Sequence, residues 1–500
     1  MTTTPPGPGT STSPTATVEG EGTSPWPALF ALCMGFFMIL VDMTIVTVAT
    51  PDIMRELDAE VNSVVWVTSA YLLAYAVPVL ITGRLGDRFG PKRLYLTGLT
   101  VFTLASLWCG LTGTVEDLIA ARTFQGFGAA MMAPQTMAII TRIFPAARRG
   151  QAMSLWGATA GVATLVGPIL GGVLVGSLGW EWVFFVNIPF GIVAFFLAMK
   201  LVPSLPTHQH SFDWMGVALS GVGMFCLVFG IQEGHQYDWG TITGVITVWR
   251  LIILGLVVLA IFVFWQSRNR KEPLVPLRLF RDRNFSVSNV AISTMSFAIT
   301  AIGFPFMLYA QLVLGMSPTE AALLLVPMAI MSIVLAPPVG KLIDRVHPRN
   351  ITTIGFVGAA AGLLWTSRMM EPGASAWDFV LPMALLGAGS AAVWAPLTAT
   401  ATRNLPLNLA GAGAGVYNTT RQVGAVLGSA AIAVLMDARL AKHLPGVTAS
   451  PEASMGQALP SAVHDPFSLA MSDAMLLPPA MLLVGLAAVL FFTAPTHDRA

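Results

Sequence analysis

Apolar residues in this chain gather into runs near twenty residues long, separated by short polar breaks, from about residue 28 to about residue 494. A helix of that length crosses roughly 30 Å of hydrocarbon. Fourteen runs can be read: 28–50, 63–83, 94–113, 117–140, 151–178, 181–202, 213–230, 242–265, 285–308, 320–340, 351–370, 377–400, 408–435 and 471–493. Ten-residue segments of alternating polarity, the mark of a membrane β-barrel, are missing. The pattern predicts an all-α polytopic membrane protein. Residues 436–470 read as its largest outer loop, rich in Pro and Ser.

Composition agrees. The 500 residues are 55% hydrophobic and 10% charged, with mean hydropathy +0.73. A soluble chain could not cover that much apolar surface. The net charge of +1 gives no hint of nucleic acid. Cys33, Cys109 and Cys226 are scattered in apolar runs, as buried small hydrophobes rather than a disulfide framework or a metal site. Residues 1–27 are Thr-, Pro-, Ser- and Gly-rich, with Glu19 and Glu21 their only charges. They read as a disordered tail without the basic region of a signal peptide.

Basic residues orient the spans. Alternate loops hold Arg84, Arg88, Lys92 and Arg93; Arg142, Arg148 and Arg149; the cluster from Arg268 to Arg283; then Lys341, Arg345, Arg349 and Arg403. The opposite loops hold little beyond Arg55, Arg439 and Lys442. The first set is expected on the cytoplasmic side, together with both termini.

The stretch GRLGDRFGPKR, 83–93, carries five charges in an oily chain and returns as GKLIDRVHPRN at 340–350. The offset, 340 − 83 = 257, also carries Gly167 onto Gly424 and Gly171 onto Gly428. Duplicated halves are common in transporters. The division expected is a tail, 1–27; a six-helix half, 28–202; an inserted helix pair and linker, 203–284; and a second six-helix half, 285–494. The repeat leaves out three charges inside spans: Asp42, Arg122 and Arg421 map onto Ile299, Phe379 and Thr164. A charge at the bilayer centre costs about 2.5–3.5 kcal/mol on insertion scales and usually marks an ion or substrate path. Helix-to-helix pairing is the alternative, strongest for Arg421.

Physical reasons attach to the motifs. In 83–93, Gly83 and Gly86 allow close backbone approach, and Gly90 a turn closed to other residues. Asp87 can accept from helix N-terminal amides or an arginine, clamping neighbouring helix ends. The gating set is therefore Gly83, Asp87, Arg88 and Gly90, with Lys341, Asp344 and Arg345 as its echo. A merely topogenic loop would need only the basic residues. In GATAGVATLVGPILGG, 157–172, Gly157/Gly161 and Gly167/Gly171 are spaced by four, and Gly172 pairs with Gly176, as a flat ridge for a neighbouring helix. Pro168 bends it. A buried Asp42 could take a proton from outside and release it inside, with Arg122, Gln125 or water completing the relay. A cationic substrate could compete for that carboxylate. Met43, Met131, Met132, Met137, Gln311, Phe304, Phe306, Trp394, Tyr417 and Asn418 are candidates for a cavity lining, against plain packing. His208 and His210 lack a third metal ligand nearby. No G-x-x-x-x-G-K-[ST] loop or catalytic constellation is present, so neither an enzyme nor a cofactor is expected.

These stretches, with LVDMTIVTVATP (40–51), RTFQGFGAA (122–130), WEWVFFVNIPFG (180–191) and YAQLVLGMSPTEAALLLVP (309–327), resemble the major facilitator superfamily over about 28–494. The likeness is to its fourteen-span drug:proton antiporter branch, the EmrB/QacA-like group. It implies the major facilitator fold, two six-helix halves plus two inserted helices. It also implies export of hydrophobic drugs or similar amphipathic compounds in exchange for protons, with antibiotic resistance as the consequence. The glycine motif would then seal the path between the halves against proton leak. The likeness is incomplete. Thr47-Val48-Ala49-Thr50-Pro51 stands where the branch usually has Asn before Ala-Leu-Pro. Span 10 holds only Glu320 and span 13 no interior acid, so the extra carboxylates that dicationic drugs need are missing. An exporter of an endogenous lipid or secondary metabolite is the alternative. A proton symporter or a non-transport membrane protein fits less well. Arginine outnumbers lysine 21 to 5, a hint of a GC-rich bacterium and hence of its inner membrane. A periplasmic adaptor partner is left open.

Overall fold

The computed structural model describes residues 24–493 apart from 60, 208–212, 235–236, 270–272, 344, 407–408 and 445–459. Its first part holds α1 (Trp26–Glu56), α2 (Val61–Ala76), α3 (Val79–Phe89), α4 (Pro91–Leu111), α5 (Val115–Ile143), α6 (Ala146–Leu178), α7 (Trp182–Phe185) and α8 (Asn187–Leu201). A helix pair follows, α9 (Trp214–Gln232) and α10 (Val248–Arg268), joined through the antiparallel strands β1 (Thr241–Thr243) and β2 (Ile246–Thr247). The last part holds α11 (Arg283–Leu312), α12 (Pro318–Leu323), α13 (Val326–Ile343), α14 (Pro348–Met369), α15 (Val380–Arg403), α16 (Ala410–His443), α17 (Ser461–Ala474) and α18 (Leu477–Val489).

Among the described residues, eleven helical stretches are long and apolar enough to cross a membrane. A twelfth is added if α2 and α3, bent by 45° at their junction, count as one. Two further long helices, α5 and α14, are more polar, and their polar residues point inward: Arg122, Gln125 and Gln135 on α5, Thr352, Thr366 and Ser367 on α14 are buried.

The breaks within spans share a cause. They fall at or just ahead of a proline: Pro78 between α2 and α3, Pro189 after the α7–α8 step, Pro327 after α12, and Pro478–Pro479 after α17. Proline lacks the N–H of the helical ladder and crowds the preceding turn. The last span also starts earlier than its apolar run. The expected loop 436–470 is not all loop: α16 continues to His443 and α17 begins at Ser461. Asp473 binds Arg439 at 3.3 Å and His443 at 3.1 Å, so the polar ends of these two helices pair with each other.

Polar contacts gather the basic loops at one end of the bundle. Trp26 meets Phe144 edge-on at 5.2 Å. Arg142 reaches Asp87 at 2.6 Å and the Pro206 carbonyl at 3.5 Å. Lys92 donates to the Met199 carbonyl. Asn404 donates to Asp282, and Asn284 bonds the backbone of Thr493. Trp26 and Thr493 therefore lie at the same, basic end. Asp213 ties the inserted pair there: it accepts from Gly216 N, Trp265 Nε1, Gln266 Nε2 and Leu274 N. Burial pushes its carboxyl up, but the donated hydrogen bonds outweigh that and hold it below its usual range.

The two parts of the chain meet along two seams, α3 with α16 and α6 with α13. The inserted pair covers the first: Met224 and Val228 of α9 pack with Leu73 and Val77 of the α2 region and with Val423 and Val426 of α16. Trp66 and Phe229 extend that contact at 5.5 Å.

Candidate transport site

Asp42 and Arg122 come together. One helix brings the acid from the α1 side and the other the base from α5, both fully buried, with Arg122 Nη1 at 2.5 Å from Asp42 Oδ2. Gln125, one turn along α5, donates to Asp42 Oδ1 at 2.8 Å and accepts from Arg122 at 2.7 Å. Asn187, the first residue of α8, donates to the same oxygen at 3.0 Å and to Ser106 at 3.0 Å. The guanidinium also donates to the Val67 carbonyl and lies 4.1 Å above the Tyr71 ring, with Phe184 at 5.7 Å. Its Nη2 has no partner. Sequence reading named Asp42, Arg122 and Gln125 but passed over Asn187, Ser106 and Tyr71. Each is a lone polar group in an apolar run, and only the fold gathers them around the pair, Asn187 on the carboxylate, Ser106 behind the amides and Tyr71 under the guanidinium.

This kernel sits inside the first half and not on the seam. Three side chains saturate Asp42, and none of its surface is open. A cationic substrate cannot reach the carboxylate in this arrangement, so the direct competition expected from sequence does not fit it. The sequence offset carries Arg122, the eighth residue of α5, onto Phe379, which lies just ahead of α15 and packs with Phe306 at 5.4 Å and Tyr309 at 6.0 Å. The counterpart of Asp42, Ile299, borders a cavity. Where one half has a polar kernel, the other has aromatic packing.

Asp87 forms a clamp across the seam at the basic end. Its oxygens accept from Gly411 N at 3.0 Å and Ala412 N at 2.9 Å, the first amides of α16. Arg142 binds at 2.6 Å and Arg84 stands at 3.8 Å. No side chain of its own segment caps α16; the acid from the other half satisfies those orphan amides. Gly83 permits the approach. A Cβ there would lie 2.7 Å from the Gly411 carbonyl oxygen and 2.9 Å from Gly415 Cα. Gly90 has φ +96°, the conformation its turn needs, and Pro91 opens α4. Arg88 lies over Phe89 rather than in the clamp. In the echo, Lys341 and Arg345 are exposed, Gly340 packs on Ser154 and Gln151 of α6, and Asp344 lies outside the described residues.

The glycines of α6 do not form one ridge. Gly167 and Gly171 pack on α1, at Thr44, Val41, Ile45 and Val48. Gly157, Gly161 and Gly172 face Trp394, Ser332 and Thr319 of the second half, and nothing lies within 4 Å of a Cβ at Gly176. At about 100° per residue, positions 157 and 167 must point in different directions. Pro168 is accommodated inside the helix. Gly157 and Gly161 border a cavity of about 100 Å³ with Ile299, Met328, Ser332 and Trp394. Of the lining candidates only Trp394 reaches it. Met131 packs on Gly98, and Phe306 is core. Phe304 points outward, 49% exposed. Met132 and Met137 are buried, and Met43 and Gln311 half-buried, away from it. Tyr417 pairs with Thr398 at 3.0 Å, and Asn418 donates to the Ala414 carbonyl. Arg421 reaches across the seam to Tyr75.

Two packed bundles, related by a repeated loop and clamped at one end, are the architecture of a secondary transporter. The sequence matches the family described as Major Facilitator Superfamily over residues 32–429. The chain belongs to the major facilitator superfamily. Among its relatives in that superfamily is an uncharacterised MFS-type transporter of Mycobacterium tuberculosis, 52% identical over 473 residues, 94% of this chain and 81% of that one. The tetracenomycin C resistance and export protein of Streptomyces glaucescens is 36% identical over 84% of this chain and 78% of its own. The multidrug export protein EmrB of Haemophilus influenzae is 30% identical over 83% and 81%. The branch expected from the motifs is thus borne out. As a major facilitator protein the chain is a multi-pass membrane transporter and not an enzyme.

Proposed function

We propose that this protein exports hydrophobic or amphipathic compounds across a bacterial inner membrane in exchange for protons, by alternating access. The observation that carries the reading is the buried Asp42–Arg122 pair, set in a shell of amides and a hydroxyl away from the seam. Removing the charge of one partner in such a pair leaves the other stranded, at about 3–5 kcal/mol. A proton arriving on Asp42 therefore forces Arg122 to find another acceptor. Arg122 rests on Tyr71, Tyr71 stacks on Tyr75 at 6.3 Å, and Tyr75 holds Arg421 across the seam at 3.3 Å. Protonation is coupled to the seam through that stack, by rearrangement and not by competition for one carboxylate. The inward proton gains about 2.3 kcal/mol per 100 mV.

Supporting the direction are the names of two relatives, both export proteins. The bundle count supports the topology: twelve spans by length and hydropathy, plus α5 and α14, make fourteen. The basic end is then cytoplasmic, the tail and both termini lie there, and the clamp at Asp87 is the inner gate in its closed state. The halves are 28–202 and 285–494, with 203–284 between them. Export of a secondary metabolite is the close variant, favoured by the relative that exports tetracenomycin C.

The test is efflux from proteoliposomes under an imposed pH gradient, with a panel of hydrophobic dyes. Wild type should move at least one dye only when the gradient is present, and Asp42→Asn should lose that dependence. A folded Asp42→Asn protein with undiminished gradient-driven efflux would refute the coupling.

A further inference from the structure

Arg421 is the charge that neither the proton kernel nor the clamp uses. It lies on α16 where the two halves meet. Its Nη2 donates to the Tyr75 hydroxyl at 3.3 Å, and its guanidinium carbon is 5.8 Å from the Phe36 ring of α1. Nε is buried with no partner. Among the described residues Arg421 has no carboxylate in ion-pair reach. The interior acids are committed elsewhere, Asp42 to Arg122 and Asp87 to Arg142 and Arg84. A second orphan donor stands close by: Trp156 of α6 stacks on Phe36 at 4.6 Å, and its buried Nε1 has no partner.

A guanidinium used only to join helices would be saturated by a carboxylate or carbonyls, because a stranded buried donor costs about 1–3 kcal/mol. This one is held by a single neutral hydroxyl and lies beside the Phe36 ring. Its planar fork is the geometry that binds a carboxylate or sulfonate with two parallel bonds. Ser154 and Gly157, on either side of Trp156 in α6, border the cavity that Trp394 also lines. At about 100 Å³ it is smaller than the roughly 300 Å³ of a ligand pocket, as suits a closed state.

We infer that the centre of the seam binds an amphipathic anion, an acidic head group on a flat apolar body, with Arg421 reading its charge. This rests on the transport reading for its purpose but not for its chemistry. It departs from a cationic substrate: the interior carboxylates, Asp42 inside the first half and Asp87 on the seam, are both sealed, while the Arg421 guanidinium has no carboxylate partner among the described residues.

Equilibrium binding separates the two. Pyrenebutanoate, its methyl ester and a pyrenebutyl-trimethylammonium salt share one apolar body and differ in head-group charge. Each is titrated by fluorescence into the full-length protein in nanodiscs, with empty nanodiscs subtracted and no proton gradient. Wild type is expected to bind the anion about tenfold or more tighter than the ester. Arg421→Gln should bring the anion to the affinity of the ester while leaving the ester unchanged, and Arg421→Lys should keep part of the preference. An anion that binds no better than the ester, including no binding at all, overturns the inference. So does a preference that survives in Arg421→Gln. Gradient-driven efflux in the Asp42→Asn pair decides the export reading separately, whichever way the head-group series falls.

Discussion

Asp87→Asn isolates the clamp at the basic end with almost no change in volume. The aspartate, 1% exposed, joins the halves through two α16 amides at 3.0 and 2.9 Å and is itself held by Arg142 at 2.6 Å. Hydrogen bonds to a charged acceptor contribute about 1.5–3 kcal/mol each. Asparagine can keep one of the two seam bonds, now neutral and worth about 1 kcal/mol, and it turns a donor toward the other amide or toward Arg142. The net loss across the seam is about 2–5 kcal/mol, which moves the closed-to-open ratio by about 30- to 4,000-fold. Nitroxide labels at the exposed positions Arg93 and Pro406 flank the clamp on opposite halves, and double electron–electron resonance reads their separation. Wild type should give one short distance and Asp87→Asn a dominant longer one. Arg142→Met should act less, since both amide bonds remain, and the double variant should fall short of the sum. An unchanged distance distribution in a folded Asp87→Asn protein would show that something other than this carboxylate holds the end shut.

Two further outcomes follow from positions away from the Asp42–Arg122 pair. Gly83→Ala sets a methyl 2.7 Å from the Gly411 carbonyl oxygen and 2.9 Å from Gly415 Cα; both are backbone, so overpacking of about 1–3 kcal/mol should open the same labelled end, and a wild-type distance would count against the tight seam. Glu233, past the end of α9, is 2% exposed and burial pushes its carboxyl from 4.5 up to about 7. The folded state then keeps a proton that the unfolded chain releases, so stability falls as pH rises from about 4.5 through 7. Glu233→Gln should raise the melting temperature at pH 8 and leave it little changed at pH 4.5; an equal shift at both would refute the burial argument.

Much of this was legible before the fold. GRLGDRFGPKR announced its clamp because an acid amid basic residues, with glycines at fixed offsets, has few other uses. Asp42 and Arg122 stood out because an unrepeated charge in lipid is costly. What stayed hidden was direction. Asn187 and Ser106 are too cheap in an apolar run to raise suspicion: Asn187 donates to Asp42 Oδ1, and Ser106 accepts from Asn187 and Gln125, the two amides that hold it. The α6 glycines read as one stripe because spacing by four is visible in sequence, while the turn of roughly 280° between Gly157 and Gly167 needs the helix drawn out. The extension of the last span to Ser461 was hidden by its polar residues, which are satisfied by a neighbouring helix end.

That Asp42 and Arg122 are both held within one bundle has a wider consequence. The pair and its shell, Gln125, Asn187 and Ser106, come from α1, α4, α5 and α8, while Arg421, Met328 and Trp394 come from the other bundle. On the proposed reading, a chain built this way can alter its cargo by changing residues in the second bundle without touching the buried pair in the first. Such a division of labour would let relatives diverge in what they carry while keeping one buried pair intact.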